Sequence, residues 1–384
     1  MISVPRPGHG GHGAGPPKAQ PLVLAHRLLL VLAVGACDDD SVDIQFPAPV
    51  NDHWWDGFDS QGLNGYVHVL GEFEGDLVAG GLFTAAGTTT ARSIARWDGE
   101  AWSSFGAGMD RTDCGGATCA PLVSALTSFE GGLVAGGRFT AAGTSPAANV
   151  AFWDGATWSA LGDGFDDTVF ALTSYGGEIV AGGYFTRSGA DTTVRHLARW
   201  DGTAWRSLGG GTNAVVRTLI AWDGKLVVGG DFTLVGGQPA GYVGIWDGQS
   251  WTLPAPFLDN RVRAATIFQG DLILAGDFHR LEDGSLWAAN VMSWDGSTWG
   301  RLADLNGDGT ALCVYGSRLV AGGSFTRDEK LRVARFGDRG WLGLGSGVDQ
   351  YVASLLAHDG HLYVGGWFRF AGNKPSNYIA RWDD

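Results

Sequence analysis

The sequence is poor in the residues that several functional classes need. Its 384 residues hold 26 lysines and arginines against 40 aspartates and glutamates. The net charge of −14 argues against nucleic acid or an anionic lipid surface as a partner, because both need a positive surface. No apolar run is long enough to span a bilayer, and no segment sustains the 3.6-residue period of an amphipathic helix. With 45% hydrophobic residues and no long low-complexity tract, the chain is predicted to be globular and built from strands.

The first 36 residues differ from the rest in composition. Their only charged residues are Arg6, Lys18 and Arg27, and the apolar run from Leu28 to Ala36 is typical of the h-region of a signal peptide. The run ends in "VGAC", which resembles the bacterial lipobox and implies cleavage before Cys37 and acylation of that cysteine. A buried structural cysteine is the alternative, but "CDDDS" is too polar to bury.

These features predict three segments. Residues 1–36 would be a lipoprotein signal peptide, residues 37–53 an acidic tether and residues 54–384 the folded domain. After cleavage the chain would carry 23 basic and 40 acidic residues, a net charge of −17, which favours neutral or cationic ligands. We expect an exported protein that is lipid-anchored to the bacterial cell membrane or outer membrane, with the lipid as its only membrane contact.

The other three cysteines are assigned by their surroundings. Cys114 and Cys119, in "CGGATC", are predicted to form a disulfide, because the protein is expected to be exported and no histidine or further cysteine lies nearby to complete a metal site. Cys313 lies in an apolar strand and is expected to be a buried free thiol. No metal site and no cofactor are predicted.

One phrase occurs seven times along the chain. "LVAGGLFT" begins at Leu77, and its other copies begin at Leu133, Ile179, Leu226, Leu272, Leu319 and Leu362, with Ala275-Gly276 in place of Gly-Gly in the fifth. The first residues of successive doublets are 56, 46, 47, 46, 47 and 43 residues apart. Each unit holds four short strand candidates separated by Gly and Asp-Gly turns, as in a four-stranded propeller blade. We therefore expect an all-β, single seven-bladed β-propeller with four antiparallel strands per blade.

Most units end in two tryptophans five residues apart, such as Trp97 and Trp102. The Asp-Gly turn between them suits a hairpin across which the two rings would pack. The last unit ends after Trp382 without a second tryptophan, and the nearest equivalent before the first unit is Trp55. We expect the segment with Trp55 to supply the outer strand of the seventh blade, so that both ends of the chain close the propeller.

The order of Gly-Gly, an aromatic-Asp turn and a second tryptophan resembles the kelch repeat and the galactose-oxidase-type propeller. It is most similar to a bacterial subgroup of exported proteins with "ARWDG..W..LG.G" repeats, and similar repeats occur in the cortical-marker domain of fungal bud-site-selection proteins. The resemblance extends from about Trp54 to Asp384. It implies the fold and leaves the function open, because propellers serve for binding, scaffolding and unrelated enzymes.

Positions that the copies share are predicted to be structural, and positions that differ are predicted to be functional. The glycine doublets should allow close blade packing, and the phenylalanines after them should be core: Phe83, Phe139, Phe185, Phe232, Phe278, Phe325 and Phe368. The residues after the doublets and after the first-strand valines should converge on one face around the channel. From them we select a candidate ligand-binding rim: Arg138, Tyr184, Arg217, Asp231, Arg263, Asp277 and Trp367. Neutral variation with local Arg-Asp pairing is the alternative interpretation.

The rim residues favour a binding function. Tyr184 and Trp367 could offer flat apolar faces, and Asp231 and Asp277 could accept hydrogen bonds, a combination that binds a carbohydrate or a peptide. The protein would be a monomeric recognition module, with Trp367 as the anchor and a carbohydrate, protein or peptide of the cell envelope as its partner. A scaffold for an envelope complex, or a glycoside hydrolase or lyase, are the alternatives. We assign no catalytic residue and favour a non-enzyme, because the histidines are scattered and Asp231 and Asp277 are the only candidate carboxylate pair.

Overall fold

The computed structural model describes residues 52–113, 119–287, 290–326 and 332–384. Residues Ala48–Asp384 form one compact unit. Within the described ranges the single α-helix is the short turn Phe58–Gln61, and no helix there has the length and apolar character to cross a membrane. The leader, Cys37 and most of the predicted tether lie outside the described residues.

The repeats fold into antiparallel sheets, numbered 1 to 7 in chain order. Sheet 1 contains Tyr66–Phe73, Asp76–Leu82, Ile94–Trp97 and Trp102–Ser104; sheet 2, Leu122–Phe129, Gly132–Arg138, Val150–Trp153 and Trp158–Ala160; sheet 3, Val169–Tyr175, Glu178–Gly183, Leu197–Trp200 and Trp205–Ser207; sheet 4, Val216–Trp222, Lys225–Gly230, Val243–Trp246 and Trp251–Thr252; sheet 5, Val262–Phe268, Asp271–Gly276, Val291–Trp294 and Trp299–Arg301; sheet 6, Gly309–Tyr315, Arg318–Gly323, Val333–Gly337 and Gly340–Gly343; sheet 7, Val352–His358, His361–Gly366 and Ile379–Trp382. In every sheet the strands lie side by side in chain order, so we call them first, second, third and outer strand. The fold is therefore all-β and propeller-like.

Two-residue strands form hairpins and bridges in the connections. They are Ala85–Ala86, Thr89–Thr90, Met109–Asp110, Ala141–Ala142, Ser145–Pro146, Leu234–Val235, Gln238–Pro239, Phe370–Ala371 and Lys374–Pro375. Most of them follow a second strand, on the face of the sheets where second strands end and first strands begin. We call this face the upper face.

The second glycine of each doublet is required by the backbone of the first strand. The register between the first two strands shifts near the start of the first strand, for example between Val67 and Val69 in sheet 1. This irregularity brings the carbonyl oxygen of Tyr66 so close to Gly81 that a Cβ at Gly81 would overlap it. The other sheets have the same arrangement, as with Gly137 and the carbonyl of Leu122. A side chain is therefore excluded at this position by backbone atoms, which side-chain repacking cannot move.

The first glycine of each doublet packs against the next sheet. A Cβ at Gly80 would lie 2.6 Å from Cγ1 of Val123, the valine that begins the repeat of sheet 2. Sheet 5 departs from this pattern with Ala275, and sheet 6 departs from it with Gly309 in the valine position. These two residues face each other, since a Cβ at Gly309 would lie 2.8 Å from Cβ of Ala275. The two departures therefore compensate each other in volume.

This compensation predicts the outcome of a double-mutant cycle. Gly309→Val should lower the free energy of unfolding by about 1–3 kcal/mol, because the valine would overlap Ala275. Adding Ala275→Gly should recover most of that loss, because it restores the glycine–valine contact of the other sheets. Urea unfolding of the wild type, both single variants and the double variant measures the coupling. If the losses in free energy of unfolding of the two single variants add up to the loss of the double variant, the two positions are independent.

The predicted core is confirmed. All seven phenylalanines that follow the doublets are buried, with exposed fractions between 0% and 4%. The tryptophan pairs also pack as expected: Trp97 and Trp102 are directly opposite each other, with ring centroids 5.3 Å apart. Trp222, whose "AWDGK" imitates the repeat, ends a first strand and pairs with Lys225 at the start of the second strand.

The predicted partner of Trp382 was wrong by one residue. Trp54, not Trp55, forms an antiparallel bridge with Trp382, and their ring centroids are 5.1 Å apart. The Trp54 side chain is buried, whereas Trp55 is partly exposed and lies under the Arg381 guanidinium at 4.0 Å. Counting back from the first strand failed because the turn Phe58–Gln61 lengthens this connection.

Candidate functional site

The first strands of all seven sheets border one central space. The residues that follow the first-strand valines, or Gly309 in sheet 6, line the same cavity of about 250 Å³: His68, Ser124, Phe170, Arg217, Arg263, Thr310 and Ala353. Tyr351 and Trp367 complete its lining. A second cavity of about 240 Å³ is lined by the same seven residues and by those that follow them in each strand. The residues after the first-strand valines therefore converge as predicted, whereas Trp367 alone of the residues after the doublets lines the first of these cavities.

Two of the predicted rim arginines are held by the two predicted rim aspartates. Arg217 donates from Nε and Nη2 to the two carboxylate oxygens of Asp231, both at 2.6 Å. Arg263 makes the same two-pronged contact with Asp277, with Nη2 at 3.0 Å from Oδ2. Arg261 adds an ion-pair contact of 2.6 Å to Asp277, without hydrogen-bond geometry, and lies 4.0 Å from Asp231.

These pairs decide the charge state of the buried carboxylate. Asp277 is only 8% exposed, and burial by itself would raise its pKa. The hydrogen bonds from Arg263 and the positive charges of Arg263 and Arg261 outweigh burial and lower the pKa of Asp277. The Asp277 carboxylate in turn raises the pKa of Arg263, with a smaller contribution from Asp308. Asp231 and Asp277 are thus bound to arginine and are not free acceptors for a ligand.

Trp367 stands at the mouth of the cavity in a cluster of aromatic side chains. Its ring lies 5.2 Å from that of Tyr66 and 5.1 Å from that of Tyr351, between centroids, and Tyr378 packs edge-on against Tyr66 at 5.5 Å. We call Tyr66, Tyr351, Trp367 and Tyr378 the aromatic cluster. Trp367 is 42% exposed and Tyr66 is 43% exposed, so the cluster presents two large apolar surfaces to solvent.

His68 faces the same cavity as a neutral group. Burial lowers the pKa of His68 to about 4, and its ring centroid lies 6.2 Å from that of Trp367. Within the described part of the chain its Nε2 is buried without a hydrogen-bond partner. Sequence reasoning did not select His68, nor Tyr66 and Tyr351, although both tyrosines directly precede a first-strand valine and could have been found by that position.

The remaining rim candidates lie further out. Tyr184 is exposed and packs edge-on against Phe170, a cavity-lining residue, with centroids 6.3 Å apart. Arg138 does not line the central cavity. It borders a separate cavity of about 280 Å³ together with Arg111 and Asp166. The structure therefore brings together five candidates around the cavity and its mouth, places Tyr184 beside them and separates Arg138 from them.

The two cysteines of the described residues, Cys119 and Cys313, do not line the central cavity. Cys119 is disulfide-bonded, and its predicted partner Cys114 lies outside the described residues. Cys313 is a free, partly buried thiol whose pKa is raised to about 11 by burial, so it is protonated at neutral pH. Among the described residues, no three His, Cys, Asp or Glu side chains are grouped as a metal site would require.

Comparisons with known proteins agree with the fold. The model of a family described as a domain of unknown function with a β-propeller fold matches residues 223–243 and 358–382. No curated protein has a sequence that matches this chain.

The solved structures that resemble the chain with TM-scores above 0.5 include the following two. One is the extracellular domain of a protein from B. thetaiotaomicron described as a one component system, with a TM-score of 0.55, 10% identity and coverage of 85% of this chain and 40% of that chain. The other is YCF48 bound to D1 peptide, with a TM-score of 0.52, 13% identity and coverage of 88% and 98%. Similarity at this level of identity concerns the fold alone. Together with the antiparallel sheets, these matches identify the folded part of the chain as a β-propeller domain.

Proposed function

We propose that this protein is an exported recognition module that binds a carbohydrate or a peptide on its upper face, with Trp367 as the anchor. The observation that carries the proposal is the exposed aromatic cluster at the mouth of the central cavity. Binding sites of this kind combine a concave, largely preformed space with a few oriented polar groups, here Arg217 and Arg263. The kelch-like and galactose-oxidase-type assignment is part of the same proposal.

The proposal includes a closed ring of seven blades. Sheet 7 packs against sheet 1 as the other neighbours pack: a Cβ at Gly365 would lie 2.5 Å from Cγ1 of Val67. The Leu70 amide also donates to Ser354 Oγ at 3.0 Å across the same junction. The bridge between Trp54 and Trp382 supports an outer position for the N-terminal segment in the seventh blade.

The direction in which the chain enters sheet 7 fits an anchored binding module. The Asp383 amide donates to the His53 carbonyl at 3.1 Å, at the end of the third strand that is remote from Gly366 and Trp367. The described chain therefore enters sheet 7 at the end opposite the upper face, so its point of entry does not cover that face. The extracellular domain and the peptide-bound propeller among the similar structures are compatible with export and with ligand binding.

An enzyme or a scaffold is less well supported. The candidate carboxylate pair, Asp231 and Asp277, is bound to three arginines, which leaves neither group free to act as a general base. The exposed large apolar side chains of the described residues lie mostly on the upper face rather than on the outer strands, where Leu342 is the exception.

Trp367→Ala should weaken ligand binding by roughly thirtyfold, because truncation of an anchor aromatic costs about 2 kcal/mol or more of binding free energy. Full-length protein is first applied to a glycan array and a peptide library, and the best ligand is then titrated calorimetrically. The melting temperature should hardly change, since the side chain is 42% exposed.

Trp287→Ala is the matched control, because Trp287 is an exposed tryptophan that does not line the cavity. It should bind the ligand as the wild type does. Equal affinities of Trp367→Ala and the wild type would contradict the proposal, and so would the lack of any ligand in both screens.

A further inference from the structure

The charged groups that line the central cavity all have one sign. Arg217 and Arg263 border both cavities, and no acidic side chain of the described residues lines either one. His68, the other titratable group in both linings, is neutral at neutral pH because burial lowers its pKa. The chain as a whole carries 40 acidic and 26 basic residues. The charged residues that line the cavity are therefore opposite in sign to the net charge of the chain.

The two arginines are fixed in place and still have donors to offer. Each ion pair uses Nε and Nη2 of the guanidinium, and a guanidinium has more N–H donors than one carboxylate can use. Asp231, Asp277 and Asp308 lie near Arg217, Arg261 and Arg263 without lining the cavity, so they balance the charge of these arginines and orient the guanidinium groups. A guanidinium group held in this way can donate its remaining hydrogen bonds to a second, planar oxyanion from a ligand.

The neighbouring side chains favour a peptide over a sugar. Ser124 and Thr310 donate their hydroxyl protons to the backbone carbonyls of Val169 and Val352, both at 2.6 Å, and the nearby aspartates are engaged by arginine. Free carboxylate acceptors for a row of sugar hydroxyls are therefore lacking among the cavity-lining residues. A carboxylate with an adjacent apolar or aromatic side chain fits both the arginines and Trp367.

We infer that the ligand of the proposed site is an acidic peptide, which places a carboxylate against Arg217 and Arg263 and an apolar side chain against Trp367. This inference rests on the proposed function, since it names the chemistry of the ligand at the same site. The carboxylate can come from an Asp or Glu side chain or from the C-terminus of the peptide.

A set of synthetic hexapeptides tests this inference on the full-length protein. Each peptide contains one aromatic residue and one glutamate, and is made with Glu or Gln and with a free or an amidated C-terminus. Binding should fall at least about tenfold when the contributing carboxylate is neutralised, as expected for a charge-assisted hydrogen bond. Loss of binding on Glu→Gln identifies the glutamate side chain as the source of the carboxylate. Loss of binding on amidation identifies the C-terminus as the source.

The double variant Arg217→Gln/Asp231→Asn should bind the preferred peptide at least about tenfold more weakly and should no longer distinguish Glu from Gln. Removing both partners avoids leaving a charge unpaired. Arg199→Gln/Glu178→Gln removes another Arg–carboxylate pair, remote from the cavity lining, and should bind as the wild type does. The comparison of peptides on the wild type does not depend on whether the variant folds.

Three results would overturn the inference. If neutral and acidic peptides bind equally while Trp367→Ala still weakens binding, the proposed function stands, but the contact between a peptide carboxylate and the two arginines is wrong. If uronic-acid glycans bind and peptides do not, the ligand is an acidic carbohydrate. If neither a peptide nor any glycan, neutral or acidic, binds, the proposed function fails as well.

Discussion

Trp54→Ala is expected to lower the free energy of unfolding by about 3–5 kcal/mol, the usual cost of truncating a buried tryptophan. Trp54 is 1% exposed and belongs to the same core cluster as Leu344, Val364 and Trp382. Its loss would open a cavity and also remove the ring contact with Trp382, whose centroid lies 5.1 Å away. If the N-terminal segment completes the seventh blade, this single change should weaken the whole ring.

The neighbouring residue provides the control. Trp55→Ala should cost only about 1–2 kcal/mol, because Trp55 is partly exposed and loses mainly its contacts with Phe58 and the Arg381 guanidinium. Trp54→Phe should retain most of the stability, since the Trp54 Nε1 has no hydrogen-bond partner among the described residues. Chemical denaturation at neutral pH measures all three variants. A larger loss for Trp55→Ala than for Trp54→Ala would contradict the pairing with Trp382.

Phe368→Ala should also lower the free energy of unfolding by about 3–5 kcal/mol, although truncation of the preceding residue, Trp367, is expected to cost little stability. Phe368 has no exposed surface and packs in the core cluster that also contains Val348, Val352 and Ala371. Trp367, one residue earlier, lies in the solvent-exposed aromatic cluster. The two alanine variants should therefore separate stability from binding at adjacent positions.

Thermal and urea unfolding, combined with titration of the selected ligand, distinguish the two effects. Phe368→Ala should lower the urea midpoint and should lose binding only in proportion to the unfolded fraction. Trp367→Ala should keep the midpoint and lose affinity. If Trp367→Ala lowers the midpoint as much as Phe368→Ala does, Trp367 is part of the core and the proposed anchor is wrong.

Much of the fold could be predicted because its signals are local. The phrase at Leu77 and its six copies all form second strands, and every phenylalanine after a doublet is buried. Strand alternation, turn residues and hairpin pairing depend on residues that are close in the sequence. A local pattern that occurs seven times therefore predicts the strands well. The convergence of the first-strand residues on one cavity followed from the same repetition.

Contacts between distant segments were less accessible. Trp55 was expected beside Trp382, but the turn Phe58–Gln61 changes the length of the connection and places Trp54 there. Ala275 and Gly309 are exceptions to the repeat in the sequence, and only the packing of sheet 5 on sheet 6 makes them a compensating pair. His68 follows a first-strand valine but was not selected for the candidate rim, because its isolation from hydrogen-bond partners is a property of the assembled cavity.

The sequence by itself determined the strand content, the repeat, the buried faces and the positions at which the copies differ. Only the tertiary structure decided what those variable positions do together. Asp231 and Asp277 were expected to be acceptors for a ligand, but folding places Arg217, Arg261 and Arg263 against them. The physical reason is that hairpin pairing depends on neighbours along the chain, whereas ion pairing, cavity lining and exposure depend on distances across strands and between sheets, which are set when the sheets pack together.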